Sequence, residues 1–445
     1  MSGIAGIAKP GCMAEVAGML STIAHRGRAG WDTFEVDGVC LGAISAPGKL
    51  PAADMGKGLV RDETGPARFA RAWVREGRLE LSRDSIGVAP LYHGLTAEGA
   101  LCFASEAKAL FPITNHIEEL PPGATYDGER LRVMPPLTRQ TLSDDPPDVL
   151  ARQLRLRLQE AVARVMEENK VGSWLSGGLD SSVMVALARS MTERFHTFAG
   201  GLAGAPDLAF ARDVAEHMRT RHHEIILTVQ DLLRVLPEVI GSLESFDALL
   251  VRSSLVNHLV AKAASEHVEA ALSGEGGDEL FAGYAYLKDL PLDRLGDELA
   301  DITGRLHNTA LQRVDRSAAR HGLTIHTCFL DPEVVALAFR IPSEYKIRGG
   351  VEKWILRRVV DGLLPEAVVE RPKAKFWEGA GVESLLADHA ESKVTDGDFC
   401  SERHLPNGWL LDSKEELMYY RLFREQFGEL RDLEWMGRTK RLVPV

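Results

Sequence analysis

The stretch that decides the fold reads Val171-Gly172-Ser173-Trp174-Leu175-Ser176-Gly177-Gly178-Leu179-Asp180-Ser181-Ser182. Its apolar run at residues 171–175 predicts a buried strand, and the Ser/Gly loop that follows leads into a predicted helix. Two adjacent glycines let the backbone turn tightly and direct N–H groups inward, which forms an anion-binding nest at a helix N-terminus. The loop therefore predicts a phosphate site. A serine-capped helix start after a glycine turn is the plainer interpretation.

Asp180 is the unusual residue of this loop, because a carboxylate repels a bare phosphate. Its presence indicates a magnesium ion that bridges the carboxylate and the phosphates. The hydroxyls of Ser176, Ser181 and Ser182 offer further hydrogen-bond donors around the same centre. The loop has no lysine, so it differs from the G-x-x-x-x-G-K-[ST] nucleotide-binding loop.

The chain around this loop alternates between strands and helices. Strands are predicted at residues 171–175, 195–198, 224–227 and 268–272, with helical periodicity in the segments between them. This alternation predicts an α/β fold with a doubly wound parallel sheet, whose ligands bind beyond the carboxyl ends of the strands. The loops after the first and the last of these strands are therefore the candidate site.

The second of these loops, residues 272–284, places three carboxylates among four glycines. A second acid close to Asp180 would complete a magnesium site, and Asp278 is the residue that we expect there. A solvated acidic turn is the alternative interpretation.

The N-terminal third of the chain has a different pattern of short strands and turns. Residues 69–74 and 78–82 predict a hairpin around Glu76-Gly77, and residues 101–104 predict a further strand before a short helix. A connector rich in proline and acidic residues then follows, up to Pro147. We therefore predict a smaller α+β domain at residues 1–140 and a parallel-sheet domain at residues 141–445.

Composition limits the classes of partner. The formal net charge of −12 argues against nucleic acid or an anionic membrane as the main partner. No apolar run reaches the length of a membrane span, and the N-terminus lacks the pattern of a secretory signal. The five cysteines are scattered and form no C-x-x-C pair. These features predict a cytoplasmic enzyme with neither nucleic acid nor membrane as its partner.

The two loops resemble those of the synthetase domain of glutamine-dependent asparagine synthetases, an ATP-pyrophosphatase group whose first loop is written S-G-G-x-D-S. Further segments are similar to that family in the same order, at residues 198–202, 206–209, 222–224, 329–331, 352–357, 373–376 and 413–415. The resemblance covers nearly all of residues 150–445. It implies ATP and Mg²⁺ as cofactors and a reaction that activates a carboxylate as its acyl-adenylate.

The resemblance also implies roles for individual residues. The adenosine of ATP would be held by Leu175, Gly200, Ser273 and Gly274. The pyrophosphate would be held by Ser176, Gly177, Gly178, Asp180, Ser181 and Ser182, with magnesium on Asp180 and Asp278. Lys373 would stabilise charge on phosphorus and then at the acyl carbon, Glu275 would face the acyl centre, and Arg252 and Asp331 would bind the substrate. In the alternative interpretation Lys373 is a solvated loop residue and Lys353 lies on a helix surface.

The N-terminal residues resemble the family's N-terminal-nucleophile glutaminase domain in a reduced form. Similar segments lie at residues 3–7, 25–27, 83–92, 104–110 and 120–123. The family begins Met-Cys-Gly and uses the cysteine thiolate as nucleophile, whereas this chain has Ser2. The family's Asn-Gly-Glu and Gly-Asp-x-Glu segments are missing between His25 and Phe69. We therefore expect a degenerate class II glutamine amidotransferase domain without glutaminase activity.

The acceptor acid stays open, because Leu249 and Leu250 stand before Arg252 where the family has paired threonines. The leading hypothesis is an ATP-dependent ligase that adenylates aspartate or a related acid for attack by ammonia. A second hypothesis keeps the adenylate but uses another acid and an amine, including ring closure as in β-lactam-forming relatives. A third is a non-catalytic ATP-binding regulatory protein. A partner glutaminase and a homodimer are both compatible with the sequence.

Overall fold

The computed structural model describes residues 2–45, 52–65, 68–135, 140–168, 170–372, 379–380, 382, 385–430 and 432–439. Two six-stranded antiparallel sheets form the N-terminal part of the chain, and a five-stranded parallel sheet with helices forms the rest. The predicted fold class, a parallel α/β sheet with a smaller α+β part, is confirmed.

The N-terminal strands, numbered β1 to β12 in chain order, are Gly3–Ile7, Trp31–Val36, Val39–Ile44, Ala53–Asp54, Leu59–Gly65, Arg68–Arg75, Arg78–Arg83, Tyr92–Leu95, Leu101–Ala104, Ile117–Glu119, Ala124–Tyr126 and Leu131–Val133. The first sheet has the order β10-β8-β9-β1-β3-β2, and the second has the order β12-β11-β7-β6-β5-β4. The predicted hairpin is β6–β7. Its turn has positive φ at both Glu76 (51°) and Gly77 (73°), which matches the right-handed twist of the strands.

Strand β3 shows how the two sheets and a helix pack in layers. All six of its residues are buried, and successive side chains point to opposite faces. The odd-numbered residues pack between the two sheets, whereas Cys40 and Ile44 join the core on the other face. The helix Met13–Thr22 lies against that face, and a Cβ at Gly42 would come within 2.6 Å of Leu20 Cδ1. Strand β3 is thus central to three layers.

The parallel sheet contains the strands β13 to β17, which are Val171–Trp174, His196–Leu202, Arg221–Leu227, Ala270–Leu272 and Thr324–His326. Their order is β15-β14-β13-β16-β17, and every neighbouring pair is parallel. The four strands predicted from the sequence are confirmed as β13 to β16, whereas β17 was not predicted. Because β13 and β16 are neighbours, with Ser173 opposite Leu272, the two candidate loops leave the sheet side by side.

Helices cover both faces of the parallel sheet and extend beyond it. They are Pro147–Met166, Leu179–Arg189, Pro206–Met218, Val229–Leu243, Ala248–Ser265, Gly277–Phe281, Leu292–Gly304, Ala310–Ala319, Pro332–Arg340, Ser343–Lys346, Trp354–Val359, Glu366–Val369, Leu385–Lys393, Asp396–Glu402 and Lys414–Phe427. Within the described ranges, none of the helices combines the length and apolarity that crossing a bilayer requires.

One continuous hydrophobic core joins the N-terminal part to the parallel-sheet part. Aromatic side chains from both parts meet in it: the ring centroids of Tyr92 and Trp435 lie 6.1 Å apart, and those of Phe111 and Phe427 lie 5.3 Å apart. Large aromatic side chains contribute strongly to burial. This core fixes the N-terminal part against the domain that carries the candidate site.

Candidate functional site

The loop after β13 is held in shape by its own hydroxyl groups. The hydroxyls of Ser181 and Ser182 donate to the carbonyl oxygen of Gly178 at 3.1 Å and 2.8 Å. The backbone N–H of Gly178 donates to Ser176 Oγ at 3.3 Å. Gly177 has φ +69°, and a Cβ there would lie 2.5 Å from the backbone nitrogen of Ala211. Both the turn and the close packing therefore require glycine at this position.

Arg371, which the sequence analysis did not single out, ties this loop to a neighbouring helix. Its Nη1 donates to the carbonyl oxygen of Ser176 at 3.3 Å, and its Nη2 donates to Asp207 Oδ1 at 2.5 Å. The guanidinium also lies 4.0 Å above the centroid of the Phe210 ring. Planar stacking combined with a carboxylate contact suits arginine. Lys373, the predicted charge-stabilising residue, lies outside the described residues.

The second loop packs directly against the first through its glycines. A Cβ at Gly274 would lie 2.8 Å from the backbone nitrogen of Ser181, and one at Gly277 would lie 2.5 Å from Asp180 Cγ. Only a residue without a side chain permits such an approach. The structure thus brings Asp180 and Asp278 to one place, as the sequence predicts.

The buried lysine Lys353 joins these two carboxylates. Its Nζ lies 2.5 Å from Asp180 Oδ2 and 2.5 Å from Asp278 Oδ1. Lys353 is only 3% exposed and stands just before the helix Trp354–Val359, so the interpretation that places it on a helix surface is wrong. A Cβ at Gly283 would lie 2.2 Å from Lys353 Cε, which shows how closely the backbone encloses the pair.

The geometry of Asp180 and Asp278 fits a magnesium ion. Both carboxylates converge on a single cationic centre, and carboxylate oxygens are the hard ligands that Mg²⁺ prefers. The site also lies beside the Ser/Gly loop, whose helix N-terminus favours anions. These residues can hold a divalent cation next to a bound phosphate group.

Two further acids of the second loop are engaged by neighbouring side chains. Glu275 Oε1 accepts a hydrogen bond from Arg313 Nη2 at 2.5 Å. Glu279 is buried and accepts a hydrogen bond from the hydroxyl of Tyr284. Burial, together with the charge of Asp278, raises the pKa of Glu279 to about 7. The predicted placement of Glu275 at an acyl centre stays a prediction.

The residues predicted to hold adenosine lie at the carboxyl ends of adjacent strands. The backbone N–H of Leu175 donates to the carbonyl oxygen of Phe198 at 2.8 Å, and the backbone N–H of Ser273 donates to the carbonyl oxygen of His326 at 2.9 Å. Gly200 lies in β14, where a Cβ would come within 2.4 Å of Val260 Cγ2. Their position agrees with the general location of ligands in parallel sheets. Their contact with a nucleotide stays a prediction.

The two residues predicted to bind substrate have partners within the chain. Arg252 donates through Nε to Glu415 Oε1 at 3.2 Å and through Nη2 to Glu415 Oε2. Asp331 forms an ion pair with Arg164 and accepts from the backbone N–H of Glu333 at 3.1 Å. Asp331 therefore caps the helix Pro332–Arg340. Substrate binding by either residue stays a prediction.

A buried ion cluster, formed by Arg26, Asp62, Arg68 and Asp315, lies beside Ser2. The Ser2 hydroxyl donates to Asp62 Oδ1 at 2.7 Å. Arg68 binds both oxygens of Asp62, at 2.7 Å and 3.0 Å. Arg26 binds both oxygens of Asp315, at 2.9 Å and 3.1 Å. Because Asp315 belongs to the helix Ala310–Ala319, the parallel-sheet part contributes one anion of the ion cluster beside Ser2.

Two family models match parts of the chain. The asparagine synthase family model matches residues 153–303 and 293–442, and a glutamine amidotransferase domain model matches residues 52–126. A glutamine-hydrolysing asparagine synthetase 2 of Arabidopsis thaliana is 35% identical over 382 residues, which are 80% of this chain and 65% of that protein. The glutamine-hydrolysing asparagine synthetase of Sandersonia aurantiaca is 33% identical over 82% of this chain and 74% of that protein.

One of the solved structures that resemble this chain is only distantly similar to it. NMN synthetase from Francisella tularensis superposes with a TM-score of 0.32 at 12% identity, over 68% of this chain and 99% of that one. This similarity is too low to bear on the fold or the function of the chain.

Proposed function

Since the chain belongs to the asparagine synthase family, we propose that it is an ATP-dependent, AMP-forming carbon–nitrogen ligase. A substrate carboxylate attacks the α-phosphorus of ATP and displaces pyrophosphate, which gives an acyl-adenylate. A nitrogen nucleophile then attacks the acyl carbon, loses a proton and displaces AMP, which leaves an amide. The synthetase part would begin near residue 140, after the amidotransferase-like part.

The observation that carries this proposal is the convergence of Asp180 and Asp278 beside the Ser/Gly loop. Displacement of pyrophosphate gathers negative charge, so catalysis of this step consists mainly of positioning and of cationic stabilisation. Asp180 and Asp278 would hold Mg²⁺, which supplies neutralisation of the pyrophosphate charge when it is bound. Lys353, whose Nζ lies 2.5 Å from each carboxylate, adds a cation beside the same two acids.

Pyrophosphate release tests the proposal. The unsubstituted chain is incubated with ATP, Mg²⁺ and a panel of small carboxylates led by aspartate, with ammonium or glutamine in parallel. Asp278→Asn should lower pyrophosphate release by about 100-fold or more while the fold is retained, because one charge of the cation site is lost. Asp297→Asn, at an exposed position of the helix Leu292–Gly304, is the matched control and should leave the rate unchanged.

The same assay decides between an enzyme and a binding protein. ATP binding without pyrophosphate release on any acid of the panel, with or without a nucleophile, would favour the regulatory alternative over a ligase. Release that is equal in the Asp278→Asn variant and the control would contradict the proposed site.

For the substrates, the first candidate is aspartate or a related acid with ammonia as the nucleophile. One observation favours the second candidate, another acid with an amine: Glu415 already occupies the guanidinium of Arg252 through two hydrogen bonds. The Tyr419 hydroxyl also donates to Glu415 at 2.7 Å. An incoming carboxylate would have to compete with this fixed partner. Formation of asparagine from aspartate and ammonium would decide for the first candidate.

We further propose that the N-terminal part does not hydrolyse glutamine. The hydroxyl of Ser2 donates to Asp62 Oδ1 at 2.7 Å, and Asp62 is itself paired with Arg26 and Arg68 of the buried ion cluster. A hydroxyl is also a weaker nucleophile than a thiol near neutral pH. Neither the unsubstituted chain nor Ser2→Cys should release glutamate from glutamine. Glutamate release by the Ser2→Cys variant would mean that a glutamine pocket persists.

A further inference from the structure

Three histidines come together at the amino end of the parallel sheet, opposite the two candidate loops (the nucleotide loops) that follow β13 and β16. His196 is the first residue of β14, His223 lies in the adjacent β15, and His267 lies between the helix Ala248–Ser265 and β16. His196 precedes Gly200 by four residues, a distance of about 13 Å along an extended strand. The cluster is therefore separate from the residues proposed to bind ATP.

The strand pairing explains why two of these rings meet. Phe198 is opposite His223 in the register of β14 and β15, and residues two apart on a strand share one face. His196 and His223 therefore lie on the same face as diagonal neighbours. His196 Nδ1 is 2.9 Å from His223 Nε2, and the two ring planes differ by only 11°. The nitrogens thus point toward each other in nearly one plane.

His267 completes the group from a separate segment of the chain. Its ring centroid is 4.3 Å from that of His223 and 5.7 Å from that of His196. One ring nitrogen from each histidine lies within 4.8 Å of the other two. His267 is exposed, whereas the other two rings are half-buried, so the group is open to solvent on one side.

These distances are close to those of a metal site. Zinc binds imidazole nitrogen at about 2.0–2.1 Å in tetrahedral geometry, which places two ligand nitrogens about 3.4 Å apart. The separation of 2.9 Å between His196 Nδ1 and His223 Nε2 is shorter than this value, so both rings would turn until their lone pairs meet at one ion. A hydrogen bond between two ring nitrogens also requires one of them to present a lone pair, as a metal ligand must.

The surroundings hold the rings in place. The Phe198 ring stacks on His223 with centroids 4.8 Å apart. A Cβ at Gly172, in β13, would lie 3.1 Å from Phe198 Cε2, so the phenyl ring fills its space closely. The apolar wall orients the rings, and the solvent-exposed side leaves a coordination position open to water.

We propose that His196, His223 and His267 form a binding site for a divalent late transition metal, zinc foremost, with solvent water in the fourth position. Imidazole donors suit Zn²⁺ and Cu²⁺ rather than Mg²⁺. The metal would join β14, β15 and the segment before β16, and would thereby stabilise the sheet at the end opposite the nucleotide loops. This site does not depend on the proposed ligase function.

Titration of the untagged, chelator-treated full chain with Zn²⁺ alone tests the site by calorimetry, with Co²⁺ absorption in the visible range as a second readout. We expect one equivalent to bind with a micromolar or lower Kd and to raise the Tm. His267→Ala is at an exposed position and should weaken binding by about 100-fold, as should His223→Ala. His404→Ala, at another exposed position, is the matched control and should bind as the unsubstituted chain does.

Two results would overturn the inference. One is the absence of saturable Zn²⁺ binding to the unsubstituted chain. The other is binding of equal affinity in the His267→Ala and His223→Ala variants, which would place the ion elsewhere, for example on Asp180 and Asp278. Pyrophosphate release should be the same in His267→Ala and in the control, because the cluster lies away from the nucleotide loops.

Discussion

The substitution Asp315→Asn tests whether the buried ion cluster holds the N-terminal part of the chain against the parallel-sheet part. Asp315 accepts hydrogen bonds from Arg26 at 2.9 Å and 3.1 Å and from Arg68 at 3.0 Å. The side chain of Arg26 is fully buried, and those of Arg68 and Asp315 are 5% and 6% exposed. The amide would leave both guanidiniums in place and remove one of their anions.

The expected loss of stability follows from this burial. Removing one partner of a buried ion pair costs about 3–5 kcal/mol, because the remaining charge is left uncompensated. In the variant Arg26 still forms ion pairs with Asp62 and Glu106. We therefore expect a loss of stability at the lower end of this range, about 3 kcal/mol.

The pH dependence of this loss follows from the pKa of Asp315. Burial alone would raise this pKa, but the guanidiniums of Arg26 and Arg68 outweigh burial and lower it well below its ordinary value. The carboxylate therefore stabilises the fold fully above the unfolded pKa of about 3.9 and loses that contribution as the pH falls further. The difference between the two proteins should accordingly be greatest near neutral pH and shrink on acidification below about pH 4.

Urea unfolding at pH 7 and across the acid range measures both effects. Asp301→Asn is the matched control, because Asp301 is more exposed and pairs with Arg305 at 2.9 Å one helical turn away. Such exposed pairs contribute about 0.3–0.5 kcal/mol. A loss in Asp315→Asn that is within about 1 kcal/mol of the control would refute the argument that the ion cluster holds the two parts together.

Two further substitutions probe the parallel-sheet part of the chain. In Gly283→Ala the added Cβ would lie 1.9 Å from Asp278 Oδ1 and 2.2 Å from Lys353 Cε, so pyrophosphate release should fall about 100-fold. The control is Gly304→Ala, where a Cβ meets nothing within 4 Å and the rate should not change. Equal rates of pyrophosphate release in the two variants would contradict this prediction. Burial lowers the pKa of Lys346 to about 7, so Lys346→Met should raise the free energy of unfolding by about 2–4 kcal/mol at pH 6. This gain should fade toward pH 10, because the unfolded lysine holds its proton up to about pH 10.4 and the folded one does not; a gain independent of pH would contradict the assignment.

The parallel sheet was predictable where its pattern is local. The apolar strand and the glycine turn at residues 171–178 stand next to each other in the sequence, and they formed as predicted. Strand β17 escaped prediction because Thr324-Ile325-His326 is short and contains two polar residues. Its strand character depends on pairing with β16, which no local periodicity reveals.

The candidate site, too, was predictable in some features and not in others. The proximity of Asp180 and Asp278 follows from the rule that ligands gather at the carboxyl ends of parallel strands. The position of Lys353 between the two carboxylates was not predicted, because its contact with Asp180 joins residues 173 positions apart. The pairing of Arg252 with Glu415 spans 163 positions, so the sequence could suggest an arginine that binds a carboxylate without indicating which carboxylate it contacts.

The helix Ala310–Ala319 links the N-terminal part of the chain to the second loop of the candidate site. One side of this helix places Asp315 between Arg26 and Arg68 of the N-terminal part. Arg313, two residues earlier, donates to Glu275 in the second loop at 2.5 Å. A rigid helix transmits a displacement of one contact to the other. Asp315→Asn should therefore lower pyrophosphate release as well as stability. A variant that is destabilised but fully active would show that the N-terminal part stabilises the fold without positioning Glu275.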